Sequence, residues 1–171
     1  MRTLFFLCSC TLLGAPAIAA DTTPSTENRP LTVEFVHPEE YRDFTSTQTG
    51  GDKQRQGLED EFRQRIQDVA ARYVPEGHHV LLRFEDIDMA GEFEPQQGPK
   101  FNNVRIMRAI YPPSIEVQYK VFDANGNVVA SGQKRETDLN FQNIVSIRKD
   151  RPLFYETELV IDVLRDITRS L

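Results

Sequence analysis

Four carboxylates fall within nine residues in Asp86-Ile87-Asp88-Met89-Ala90-Gly91-Glu92-Phe93-Glu94, the densest chemically capable group in the chain. In an extended strand Asp86 and Asp88 share a face, because side chains alternate with a period of two. Such a group suits three chemistries. Oxygen clusters ligate hard cations, and paired carboxylates serve as general acid and base in glycosidases and aspartic proteases. At a strand end, carboxylates also accept backbone N–H bonds in a turn. The Asp-x-Asp opening echoes a calcium loop, but Ala90 holds the fifth position and Gln97 the twelfth, so two ligands, the bidentate one included, are missing. A turn is the plainest expectation for these acids.

Other reactive side chains are sparse. The histidines are His37, His78 and His79, and neighbours in an extended segment face opposite ways, so the last two do not share a metal readily. Cys8 and Cys10 are the only cysteines. The chain has no G-x-S-x-G elbow, no G-x-G-x-x-G and no P-loop. No metal or cofactor is therefore expected, and no residue is assigned a catalytic role. The remaining unusual segment is Arg105-Ile106-Met107 followed by Tyr111-Pro112-Pro113. If Val104 and Ile106 are core, Arg105 faces the other way and can pair with Asp86, Asp88 and Glu92. Tyr111 adds an aromatic face beside a stiff proline pair.

The elements that must position these residues follow from periodicity. Leu31, Val33 and Phe35 alternate with Thr32 and Glu34 as in a half-buried strand, stopped by Pro38. Residues 45–57 read as a polar loop running into a helix, whose stripe is Leu58, Phe62, Ile66, Val69, Ala70 and Tyr73; Pro75 and Gly77 end it. Val80, Leu82 and Phe84 mark a second strand, and Val104 and Ile106 a short third. Ile115, Val117, Tyr119 and Val121 lead to an Asn125-Gly126 turn, and Val128 to Lys134 returns as a hairpin in which Gly132 marks a bulge or a close backbone approach. A last helix starts near Leu153, with Asp150 as N-cap and Pro152 in its first turn, and buries Val160, Val163, Leu164, Ile167 and Leu171. This order predicts an α+β fold: a two-layer sandwich with a mostly antiparallel sheet of four to five strands and two amphipathic helices packed on one face.

The first twenty residues predict where the protein works. Met1-Arg2, the apolar Leu4 to Ile18 and the Ala17-Ile18-Ala19 site have the layout of a cleavable signal peptide over residues 1–19. The apolar run is too short and interrupted to span a membrane. Residues 20–30 read as a flexible lead-in and residues 31–171 as a single α+β domain. Leu7-Cys8-Ser9-Cys10 resembles a lipoprotein box, but the conventional cleavage site beyond it argues against lipidation at Cys10. With 26 acids against 20 Lys and Arg, the chain carries a formal charge of −6, which disfavours nucleic acid and anionic membrane surfaces as partners.

Several of these segments, in this order, carry a resemblance: Phe35-Val36-His37-Pro38-Glu39, Asp86 to Glu92, Arg105-Ile106-Met107 with Tyr111-Pro112-Pro113, Asp123 to Gly126, and Leu153-Phe154-Tyr155-Glu156. Together they resemble a family of small exported proteins of Gram-negative bacteria catalogued as a domain of unknown function. The resemblance implies a periplasmic protein and carries over no catalytic residue, ligand or partner. The functional expectation is thus a non-catalytic periplasmic protein that binds an envelope protein or a small ligand. Its candidate binding residues are Asp86, Asp88, Glu92, Arg105 and Tyr111. The alternatives are a carboxylate-dependent hydrolase acting on cell-wall glycan or peptide, and a calcium-stabilised structural module.

Overall fold

A computed structural model describes residues 29–98, 103–149, 151–169 and 171. Among the described residues six strands and two α-helices run in the order β1 (Leu31–Phe35), α1 (Asp52–Ala70), β2 (His79–Asp88), β3 (Glu92–Phe93), β4 (Arg105–Ile106), β5 (Ser114–Phe122), β6 (Val128–Thr137) and α2 (Phe154–Ile167). The main sheet has the order β1-β2-β5-β6, with β3 and β4 forming a separate two-stranded ribbon. β1 pairs with β2 in parallel, while β2, β5 and β6 are antiparallel. The fold is α+β, with one parallel pair in an otherwise antiparallel main sheet.

The alternation seen in the sequence is the burial pattern of the sheet. Leu31, Val80, Leu82, Phe84, Val117 and Val121 are buried and join Leu58, Phe62 and Ile66 of α1 with Val160, Val163 and Leu164 of α2 in one apolar cluster. Glu34, Leu81, Arg83, Gln118, Lys120 and Gln133 occupy the intervening positions and line a shallow depression instead. Gly132 sits where β5 brings the Tyr119 ring close: an added Cβ would lie 3.0 Å from the phenolic oxygen. The ladder stays in register there and shifts at Val121/Phe122, so Gly132 marks a close approach and the irregularity lies elsewhere.

Local chemistry explains where elements start. α1 begins at Asp52, ahead of its apolar stripe, because its first turn is polar and faces solvent. The N-cap of α2 is Leu153, in the left-handed region at φ 57 and buried; no side chain caps the helix, and the expected cap Asp150 lies outside the described residues. The hairpin turn uses positive φ only at Gly126, and Asp123 accepts the N–H groups of Asn125 and Asn127 at 2.8 Å. The expected third strand is two residues long, and Val104 is 46% exposed rather than core. The segment expected to be a signal peptide, residues 1–19, and most of the expected lead-in, residues 20–30, also lie outside the described residues.

Candidate functional site

A phase change in β2 builds the acidic end. Phe84 is fully buried, and the register with β5 then shifts between Phe84 and Asp86. This bulge resets the alternation, so that Ile87 and Met89 turn into the core while Asp86 and Asp88 face outward together. The segment after β1 docks beside this end. Tyr41 and Phe44 are buried, and the Tyr41 hydroxyl donates to the Phe84 carbonyl at 2.7 Å while accepting the Val36 N–H at 3.0 Å. Burial, the larger influence, pushes the Tyr41 phenol well above its ordinary range. Asp43 bridges to Asp88 in parallel: its N–H donates to the Ile87 carbonyl, and its own carbonyl accepts the Met89 N–H.

That docking places two residues not anticipated from sequence against the acids. Arg42 donates through its guanidinium to both Asp86 and Asp88 at 3.0 Å, and its backbone N–H donates to Asp86 Oδ1 at 2.8 Å. The shared face expected of the two carboxylates is therefore real, and one arginine serves both. Partial burial pushes the Asp88 carboxyl up, while hydrogen bonding and charge from Arg42 pull against it. The partner expected for Arg105 is corrected. Its guanidinium forms a fork on Asp43, at 2.5 and 3.1 Å, and also donates to the carbonyls of Gly91 and Thr45 at 2.9 Å. It lies 4.6 Å over the Phe93 ring, and only 12% of its side chain is exposed. Asp43, a local neighbour of Arg42 with no pattern to mark it, took the role assigned to the acids of β2.

Tyr111 turns toward another acid. Its hydroxyl donates to Glu94 at 3.1 Å, and Arg108 donates to the other oxygen of Glu94 at 2.8 Å. Glu94 is buried, and partial desolvation, followed by this acidic neighbour, pushes the Tyr111 phenol up. Glu92 makes a local bond, its carboxylate accepting the Phe93 N–H at 2.9 Å. Glu156, in the first turn of α2, is buried and accepts the Ala90 N–H at 2.8 Å. Gly91 is required between them: it has φ +78, and a Cβ there would stand 2.8 Å from the Ile106 carbonyl oxygen.

Asp88, Glu92 and Tyr111, with Arg42, Asp43, Pro112 and Arg135, line a cleft of about 300 Å³. Asp86 lies beside it through Arg42, and Arg105 braces it from behind through Asp43. The five candidate residues are thus brought to one end of the fold, Asp88, Glu92 and Tyr111 lining the cleft and Asp86 and Arg105 reaching it through Arg42 and Asp43. The histidines remain apart. Nδ1 of His79 faces the Arg29 carbonyl at 2.9 Å and so donates, leaving Nε2 to meet the Thr32 hydroxyl at 3.0 Å. His37 stands exposed beside Glu39, and His78 contacts the Glu76 carbonyl. Among the described residues no group of three or more His, Cys, Asp or Glu is placed to hold a metal ion. No helix among them is long and apolar enough to cross a membrane.

A small α+β domain with a cross-braced polar end, its charged side chains exchanged among neighbouring segments, is the class that fold and site define. The chain belongs to the family described as Protein of unknown function (DUF3016), which matches residues 30–166. No curated protein and no solved structure matches it.

Proposed function

We propose that this protein is a non-catalytic, exported binding protein of the cell envelope, and that the cleft beside Asp88 receives its partner or ligand. The observation that carries this reading is a difference in commitment among the charges of the cleft. Arg42 is held by Asp86 and Asp88, and Asp43 by Arg105. Glu92 and Arg135 line the same cleft and make no ion pair among the described residues. An acid and a guanidinium left open beside Tyr111 and Pro112 suit a ligand bearing both charges, such as a peptide segment. The signal-like layout of residues 1–19 supports a periplasmic location.

The hydrolase alternative needs one protonated and one ionised carboxylate. Arg42 bonds both Asp86 and Asp88, and a carboxylate pair committed to one guanidinium suits recognition better than proton transfer. The test is photo-crosslinking from a reactive residue placed at exposed Ile110, in cells exporting the protein, with fractionation of the same cells. The expected result is one discrete adduct in the envelope fraction that disappears in Glu92→Lys and in Arg135→Glu, while both variants melt as the parent does. An adduct pattern unchanged by both substitutions, or retention of the protein in the cytoplasm, would overturn the proposal.

A further inference from the structure

A larger concavity lies on the other side of the Gly91 turn. It has a volume of about 650 Å³ and lies between the start of α2, the Met89-Ala90 turn and the β4 ribbon. This is within the range of small-molecule sites, roughly 300–1,000 Å³. Its lining is unlike that of the acidic cleft. Leu58, Met89, Met107 and Phe154 give it apolar walls, and Lys149 and Arg151 stand at its exposed side. Neither of these cations makes an ion pair among the described residues, and both side chains are exposed. Glu156 lies in the wall with 2% exposure and one oxygen bonded to the Ala90 N–H.

We propose that this cavity binds a small apolar anion, such as an acyl or aryl carboxylate, with its charge at Lys149 and Arg151. Charge complementarity selects the sign of the ligand, and the apolar walls select its body. Glu156 sets the direction. A second carboxylate placed near that buried acid would meet like charge or an unfavourable proton, so the anionic end stays at the basic mouth and the apolar end points inward. The site is separate from the cleft that carries the proposed function, and either can fail without the other.

Beyond Met1, the chain has only the methionines Met89 and Met107, and both line this cavity. The test uses the protein labelled with ¹³C at the methionine methyls and titrated with decanoate, then with decanol. Decanoate is expected to shift both methyl resonances with one saturating curve. Lys149→Glu combined with Arg151→Glu should weaken decanoate at least tenfold and leave decanol little changed. Met107→Trp, at a half-exposed position, should narrow the cavity and remove the Met89 shift for both ligands, with circular dichroism confirming that the variant is folded. Decanoate that moves neither methyl up to its solubility overturns the proposal. So does decanoate affinity that survives the double charge reversal, which would place the binding elsewhere, for example at the exposed Val145 and Ile147.

Discussion

Arg105 grips Asp43 through both arms of its guanidinium across 62 residues of sequence, and the two side chains are 12% and 10% exposed. The same guanidinium holds the carbonyls of Gly91 and Thr45, so one side chain joins the β4 ribbon, the turn after β2 and the segment after β1. Pairing of this kind is a positioning device. Buried charges that are fully bonded contribute modestly on balance, but removing one partner leaves the other stranded.

Arg105→Ala is therefore expected to destabilise by about 3–5 kcal/mol, because Asp43 would remain buried without its fork. In a domain of this size that is a fall of roughly 10 °C or more in Tm. Arg105→Lys should lie between the two, since an ammonium keeps the charge and loses the planar fork. Thermal unfolding by circular dichroism decides it, and an unchanged midpoint in Arg105→Ala would refute the clamp.

Arg42 should behave otherwise despite bonding two carboxylates. Half of its side chain is exposed, and exposed pairs contribute about 0–1 kcal/mol. Arg42→Ala is expected to lower stability by no more than about 1 kcal/mol at low salt and by less at 1 M salt, where screening is short-ranged. Urea midpoints at the two salt concentrations test this. A loss as large as that of Arg105→Ala would mean that Arg42 clamps this end of the fold as Arg105 does.

Two glycines should respond with opposite signs. Gly91 adopts φ +78, and an added methyl meets the Ile106 carbonyl and Met107 sulfur at 2.8 Å. Gly91→Ala should cost about 2 kcal/mol or more, from left-handed strain and the forced shift of backbone. Gly57 lies in α1 with nothing within 4 Å of the added atom. Gly57→Ala should stabilise by about 0.5–1 kcal/mol through helix propensity. Denaturant unfolding of both variants checks the pair, and the same sign in both would contradict the assigned geometry.

The legible parts of this fold are those governed by a repeating pattern. Val80, Leu82 and Phe84 announced β2, and the stripe from Leu58 to Ala70 announced α1, because burial repeats with the period of the element. The outward pairing of Asp86 and Asp88 was also readable. The identity of their partner was not. Arg42 and Asp43 lie in a short segment with no period, placed by the Tyr41 hydroxyl at a bulge that only the folded sheet reveals. Val104 was misplaced for a related reason. Its alternation with Arg105 is that of a strand, but the strand is two residues long and lies outside the main sheet. Glu156 lies in the first turn of α2, and its burial with a bond from the Ala90 N–H is a long-range contact that no local pattern encodes.

That burial has a pH signature. Desolvation dominates at Glu156 and pushes its carboxyl above the ordinary value of 4.5, against hydrogen bonds from Ala90 and from its own backbone and the attraction of Arg105. A raised folded value means that the native state binds the proton more tightly than the unfolded chain. The contribution of Glu156 is then fully present below pH 4.5 and is lost as pH rises through the folded value. Glu156→Gln keeps an oxygen for the Ala90 N–H and removes the ionisation. Relative to the parent, this variant should gain stability steadily as pH is raised from 4 toward 8. Melting curves of both proteins across that range measure the difference directly. A gap that is constant with pH would show that Glu156 titrates alike in the folded and unfolded states. A gap that closes on raising the pH would reverse the sign and place a stabilised carboxylate there.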